Sequence, residues 1–355
     1  MKIAMIGQKG VILTAKSGRI DKHVAEISTH LIDRGHWVTA YTRPRYATGT
    51  PAEYHGIHLQ YVPRVFLLMH ALFQNYDIIH LHGVWAATFA WIPRLFLRKT
   101  KVIATLHVPD ELRSSWFIGR ALFWLKCALA VYAPHYCLVA NHEMQVYARK
   151  WYRRELVFIP QGTVVREVEE IDELAAFGLQ PNEYLIHVGS LLPGKGLREL
   201  IDAFKELQTQ KQLVFVGVPH FSDTHYARLR KRAGDDHRIH FFPSQSDEVI
   251  EQLLTHAYLS IQPSGQEGLP AMAFEAMGHG TAPLVSDSES HRKALHGTGF
   301  TFRPSKDLKN RLEDLLRRED HVREVGEEGR AIMETEFSWA GVTDKIESVY
   351  QTARH

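Results

Sequence analysis

The chain has 355 residues, of which 45% are hydrophobic, and a net charge of +2. That length exceeds what one hydrophobic core usually supports and that composition excludes dominant disorder, so two globular domains are expected. Only Cys127 and Cys137 are present, which excludes a disulfide framework and reads as two reduced thiols.

The near-neutral total conceals two oppositely charged halves. Residues 1–165 carry 20 Lys and Arg against 9 Asp and Glu, whereas the remainder carries 22 against 31. The basic half suits an anionic acceptor, a phosphate-bearing lipid or an acidic membrane surface, and equally suits a solvated basic face.

In chain order, Ile3 to Ile6 reads as a short buried strand followed by a turn. It lacks the charged start and longer apolar run of a signal peptide, so a cytoplasmic location is expected. Val24, Ile27, Leu31 and Ile32 follow helical spacing. Trp37 to Tyr41, Ile78 to Leu81, Lys101 to Leu106 and Cys137 to Val139 read as further strands. Trp116 to Cys137 is the most hydrophobic stretch, but Arg120, Lys126 and Pro134 interrupt it and argue against a membrane span of about 20 apolar residues.

A linker is expected between Gln161 and Asn182, where Pro160, Gly162, Gly178 and Pro181 surround the acidic stretch from Glu167 to Glu173. The pattern then restarts, with strands at Tyr184 to Val188, Leu213 to Val216, Ile239 to Phe242, Leu259 to Ile261 and Leu284 to Ser286. Leu197, Leu200, Ile201, Phe204 and Leu207 form the stripe of a core-facing helix. Alternating strands and helices imply α/β architecture with parallel sheets, in domains at residues 1–164 and 165–337. Two doubly wound domains place ligands at the carboxyl ends of their strands, with a cleft between them.

Two segments have the chemistry of a ligand site. Gly189-Ser190-Leu191-Leu192-Pro193-Gly194-Lys195-Gly196 follows a strand and opens a helix, so glycines permit close backbone approach, helix-start amides bind anions and Lys195 adds a charge. It is not a P-loop, which needs Ser or Thr after the Lys, and many strand-to-helix turns are glycine-rich for backbone reasons alone. In Pro263-Ser264-Gly265-Gln266-Glu267-Gly268-Leu269-Pro270, Pro270 suits the first helical position. Glu267 then stands just ahead of a helix and Glu275 in its second turn. Two such carboxylates can accept hydrogen bonds from hydroxyls of one ligand, with a diphosphate on the Gly268 and Leu269 amides. The alternative is an exposed loop acid and a surface helix residue.

These residues resemble glycosyltransferase family 4, a retaining group with the GT-B fold of two Rossmann-like domains facing across a cleft. Glu267 and Glu275 match its Glu-x7-Glu motif. Asp77-Ile78-Ile79-His80-Leu81-His82, Ile159-Pro160-Gln161-Gly162 and Pro193-Gly194-Lys195-Gly196 resemble its Asp-Val-Val-His-x-His, Ile-Pro-Asn-Gly and Pro-Glu-Lys-Gly segments. The resemblance implies that Glu275 binds the donor ribose, that Glu267, Gly268 and Leu269 contact the transferred sugar and its phosphate, and that Gly189, Ser190 and Lys195 hold the diphosphate. Lys195 would stabilise the charge that builds on the leaving phosphate. His107, in Ala104-Thr105-Leu106-His107-Val108, resembles the strand-end histidine that faces the donor sugar, with His82 a weaker candidate. The final helix, 338–355, would return to the N-terminal, acceptor-side domain.

The sequence departs from the family at three points, the mildest being Gln161 for the usual Asn. Ser190 replaces the usual Arg, which removes one phosphate-binding cation. In Ser17-Gly18-Arg19-Ile20-Asp21, Arg19 stands where a second Gly is usual, either obstructing a ligand near the backbone or restoring the missing charge.

The expected activity is retaining transfer of a hexose-like unit from a nucleotide-sugar to a glycan or lipid-linked acceptor, in cell-surface polysaccharide or glycolipid biosynthesis. The alternatives are a nucleotide-sugar epimerase or phosphorylase on the same architecture, and a catalytically weak binding subunit. No metal or other cofactor is expected, since there is no Asp-x-Asp pair for a divalent ion. No nucleic acid partner is expected. Arg94, Arg98, Lys99, Lys101, Arg113, Arg120 and Lys126, near Leu95, Phe96, Trp116, Phe117 and Phe123, suit peripheral contact with an anionic membrane, or else flank helices packed in the core.

Overall fold

The structure is a computed structural model, and it describes residues 1–12, 18–47, 49–107, 117–140, 142–166, 168–217, 223–264, 271–303 and 307–354. The chain divides into two compact units, Met1–Gly162 with Trp339–His355, and Thr163–Ser338.

Among the described residues, the N-terminal unit holds strands β1 (Lys2–Ile6), β2 (Trp37–Thr42), β3 (Glu53–Tyr54), β4 (Ile57–Tyr61), β5 (Ile78–His82), β6 (Lys101–Leu106), β7 (Tyr136–Val139) and β8 (Val157–Phe158). Their order in the sheet is β3-β4-β2-β1-β5-β6-β7-β8. Only β3 and β4 pair antiparallel among them. The central strand β5, Ile-Ile-His-Leu-His, is buried along its whole length, as expected for a parallel strand covered on both faces. Alternation sends Ile79 and Leu81 into the core cluster beneath the helices Val84–Thr88 and Phe117–Tyr132. It sends His80 and His82 to the opposite face, where the helices Arg19–Asp33 and Trp339–Arg354 lie. Val24, Ile27 and Leu31 bury the apolar stripe of the first of these helices, and Trp339, Val342, Ile346 and Tyr350 that of the second.

The C-terminal unit holds β9 (Tyr184–Val188), β10 (Gln212–Val216), β11 (Ile239–Phe242), β12 (Leu259–Gln262), β13 (Pro283–Ser286) and β14 (Phe300–Phe302). They form a parallel sheet of order β11-β10-β9-β12-β13-β14. The helix Leu197–Lys205 buries Leu197, Leu200, Ile201 and Phe204 against it.

The expected linker from Gln161 to Asn182 is largely part of this unit. Val168, Leu174 and Leu179 are buried, and Leu174 and Leu179 pack with Tyr184 and Leu253. Three apolar anchors within a run of acids fix the segment to the core, and Asp172–Ala176 is a short helix. Thr163 and Ser338, the first and last residues of the unit, form a parallel bridge.

Glycines set the closest helix contacts. In the helix Glu319–Ile332, a Cβ on Gly326 would lie 2.1 Å from the Gly280 carbonyl oxygen, whereas one on Gly329 would meet only the Met277 side chain, at 3.2 Å. Gly326→Ala should therefore cost about 1–3 kcal/mol by overpacking against backbone. Gly329→Ala should cost less, because methionine yields and alanine adds helix propensity. Denaturant midpoints of the two variants check this, and equal losses would refute it.

Candidate functional site

Three loops meet at the carboxyl ends of β9, β10 and β12. The chain leaves β9 through Gly189 at φ 149°, turns at Gly194 with φ 84°, and enters the helix Leu197–Lys205 through Gly196 at φ 72°. These conformations are rare for residues with a Cβ. A Cβ on Gly217, after β10, would lie 1.8 Å from the Gly189 carbonyl oxygen, and one on Gly196 would lie 2.8 Å from that of Pro263, after β12. The Gly189 N–H donates to the Val216 carbonyl at 2.9 Å. The Gly189–Gly196 turn is therefore held on both sides by backbone, and its helix start presents N–H groups suited to phosphate.

Ser190 and Lys195 are half-buried in this turn. Beneath them lies His187, whose Nδ1 bonds the Ile261 carbonyl at 2.9 Å. Its Nε2 has no hydrogen-bond partner among the described residues, and a Cβ on Gly189 would sit 3.7 Å from it. Burial pushes the His187 pKa down to about 4; the Ile261 bond opposes that shift and the Lys195 charge adds to it.

Glu275 lies in the helix Ala271–Gly278, half-buried between the buried Phe274 and Ala276. Glu275 is thus neither fully buried nor fully exposed. Pro263 and Ser264 lead towards it, and the Ser264 carbonyl accepts from Ser286 Oγ at 2.7 Å. Glu267, Gly268 and Leu269 lie outside the described residues.

In the N-terminal unit, His82 ends β5 and His107 directly follows β6. Both stand beside His23 of the helix Arg19–Asp33, with ring centroids 5.7 and 5.2 Å from it. Burial, then the neighbouring histidines, push the His23 and His82 pKa values well down, so both rings are neutral near pH 7. His80 bonds Tyr350 Oη at 2.6 Å and Thr105 Oγ at 2.7 Å, and burial lowers its pKa to about 3. Gly18 caps the helix, and the Asp21 carboxylate accepts from the Gly18 and Lys9 N–H groups at 2.7 Å each. Arg19 is the first helical residue.

The family models match both units: "Glycosyltransferase Family 4" over residues 20–166 and "Glycosyl transferases group 1" over residues 172–332. The chain belongs to the family 4 glycosyltransferases. It is 24% identical to the MMP α-(1→4)-mannosyltransferase of Mycolicibacterium hassiacum, across 99% of this chain and 98% of that protein. Sucrose-phosphate synthase from Thermosynechococcus elongatus superposes with a TM-score of 0.80 at 19% identity, covering 99% of this chain and 98% of that one. Anabaena HepE in complex with UDP also gives 0.80 at 19% identity, covering 99% and 100%. This glycosyltransferase accordingly has the GT-B fold.

Three residues of the glycosyltransferase escaped the sequence reading. His23 falls on the core-facing stripe with Val24 and Ile27, and a polar residue on such a stripe is the signal that was available. His187 occupies a fully buried strand, where its neighbours mask it. Arg43 donates to the Gly7 carbonyl at 2.9 Å beside the first loop of the fold, a contact made across two strands.

His187 yields a prediction of pH dependence. Its folded pKa of about 4 lies below the unfolded value of 6.5, so the unfolded chain takes up the proton first. Above pH 6.5 the two states bind alike; between 6.5 and 4 stability should fall, in total by roughly 3 kcal/mol. Denaturant unfolding across that window should be steeper in pH for the wild type than for His187→Gln. Parallel profiles would refute the assignment.

Proposed function

We propose that this glycosyltransferase moves a hexose-like unit from a nucleotide-sugar to a glycan or lipid-linked acceptor with retention of configuration, in cell-surface polysaccharide or glycolipid biosynthesis. The observation that carries the reading is the contact of Gly196 with Pro263. It sets the Gly189–Gly196 turn, after β9, beside Pro263, after the neighbouring strand β12, and Glu275 follows Pro263 along the chain in the helix Ala271–Gly278. A nucleoside diphosphate carries the complementary groups, a diphosphate anion and ribose hydroxyls.

In the proposed step, the bond from the anomeric carbon to the β-phosphate oxygen breaks, and its electron pair stays on the diphosphate. The acceptor hydroxyl bonds to the same carbon on the same face, and its proton passes to the departing phosphate. Lys195 and the helix-start amides stabilise the growing charge, and no divalent ion is required on the diphosphate. Glu275 accepts hydrogen bonds from the ribose hydroxyls. Glu267, with the Gly268 and Leu269 amides, contacts the sugar and its phosphate; His107 contacts the sugar; Gly18 and Arg19 belong to the acceptor-side loop.

Nucleoside diphosphate release from a panel of nucleotide-sugars, in the presence of a chelator, tests this. Lys195→Ala should lower kcat/KM about 10²–10³-fold. Glu275→Gln should act mainly on the donor KM, by about tenfold or more, because it removes a charged hydrogen-bond acceptor. Donor binding without release would favour the weak binding subunit, which Ser190 in place of a cation supports.

We further propose peripheral contact with an anionic membrane. No helix among the described residues is long and apolar enough to cross one. Leu95 and Phe96, next to Arg94, are 68% and 67% exposed. Arg94 donates to the Ala133 carbonyl at 3.0 Å, beside the helix Phe117–Tyr132. Exposed Trp124 and Tyr132 of that helix and Trp151 of the helix His142–Tyr152 continue the surface, with Arg154 over Tyr132 and Lys150 over Trp151. Basic groups over exposed aromatic rings suit a headgroup interface. Phe123, one of the apolar residues grouped with this surface from sequence, instead packs partly against the core. Co-sedimentation with phosphatidylglycerol vesicles should exceed that with phosphatidylcholine and weaken as salt rises. Failure to pellet with anionic vesicles at low salt would overturn it.

A further inference from the structure

His23, His82 and His107 come from one helix and two strand ends, yet their rings converge within the N-terminal unit. One nitrogen of each lies within 4.8 Å of one of each of the others. Their ring centroids are 5.2, 5.7 and 6.5 Å apart. Three imidazoles around one tetrahedral ion, with metal–nitrogen bonds of about 2.0–2.1 Å, have donor atoms about 3.4 Å apart and centroids about 5 Å apart. The trio stands near that spacing, with His82 and His107 its widest pair of rings at 6.5 Å.

The polar atoms point the same way. His23 and His82 are 1% and 2% exposed, and neither nitrogen of either ring has a hydrogen-bond partner among the described residues. An unsatisfied buried polar atom costs about 1–3 kcal/mol, and four are concentrated here. His80 lies as near, its ring 4.1 Å from that of His82, but both its nitrogens are engaged by Tyr350 and Thr105. His80 is thus satisfied where the adjacent His23 and His82 are not.

We infer that His23, His82 and His107 form a site for a borderline transition-metal ion of the Zn²⁺ class. An all-imidazole donor set suits Zn²⁺, Co²⁺, Ni²⁺ or Cu²⁺ and disfavours Mg²⁺ and Ca²⁺, which require oxygen. Three protein ligands leave a fourth position for water or an added ligand. The three histidines belong to the N-terminal unit, and the proposed diphosphate cradle is built from residues of the C-terminal unit.

The test is titration of chelator-treated full-length protein with Co²⁺, read by the visible absorption of tetrahedral cobalt and requiring no sugar donor. Wild type should bind one Co²⁺ with that spectrum and lose it on addition of Zn²⁺. His23→Gln and His82→Gln should each weaken binding by at least about 10-fold, since replacing outer-shell partners alone costs 10–100-fold. Absence of the spectrum, or equal binding by wild type and both variants, overturns the site. Should either variant misfold by circular dichroism, X-ray absorption at the zinc edge of the Zn²⁺-loaded wild type decides. Three imidazoles in the coordination shell support the site, and fewer overturn it.

Discussion

The candidate donor site depends on backbone pressed against backbone. Gly217 meets the Gly189 carbonyl and Gly196 meets that of Pro263 at distances where no Cβ fits. In the N-terminal unit the first loop obeys the same rule, for a Cβ on Gly7 would lie 2.0 Å from the His82 carbonyl oxygen. A parallel sheet brings strand ends only to the spacing of adjacent strands, and side chains in the loops would then hold the main chains apart. Glycine lets the loops close up, so N–H groups and helix starts converge at one edge of the sheet. The chemistry of this edge is thus main-chain chemistry first, with Lys195 and Glu275 adding charge to a surface already suited to anions.

That crowding accounts for the second unusual feature, the buried histidines. Loops packed to contact cover the strand ends, and the imidazoles of His80 and His82 in β5 and His187 in β9 are buried and stay neutral. A neutral imidazole offers a lone pair on one nitrogen and a proton on the other, which a charged one does not. His187 uses one nitrogen to tie β9 to β12 through Ile261 and presents the other beneath the Gly189 turn. His80 uses both to tie β5 to β6 and to the last helix. The same residue type thus serves as a strut between strands at His80 and His187 and, at His23 and His82, stands without a hydrogen-bond partner among the described residues.

The sequence displayed the fold well and the site unevenly, for one reason. The run Leu213–Val216 of β10 is continuously apolar, and the helix Leu197–Lys205 has a clean stripe, so their burial is written locally. The hairpin strand Ile57-His-Leu-Gln-Tyr, next to the edge strand β3, alternates polar and apolar residues and went unread, as did the two-residue β8, exposed at both positions. The glycine turn at Gly189 was legible because its conformation requires glycine. His23 and His187 were not, because their significance depends on what surrounds them. A histidine is a surface residue or a ligand according to contacts 59 and 84 positions away, as between His23 and the strand-end residues His82 and His107. No local pattern carries that information.

His107 is where the two proposals meet. As the strand-end histidine of a glycosyltransferase it would offer its ring to the transferred sugar, and as part of the trio it would offer a lone pair to a metal ion. One imidazole nitrogen cannot serve both at once. Occupancy by an ion and engagement of the sugar would therefore exclude one another wherever they use the same nitrogen. They become compatible only if the ion takes one nitrogen and leaves the other to the sugar. In that arrangement the ion would fix the tautomer and orientation of His107, as a carboxylate does in many histidine-dependent sites, and would raise the acidity of the remaining N–H. The choice between exclusion and support is therefore set by which nitrogen of His107 faces His23 and His82.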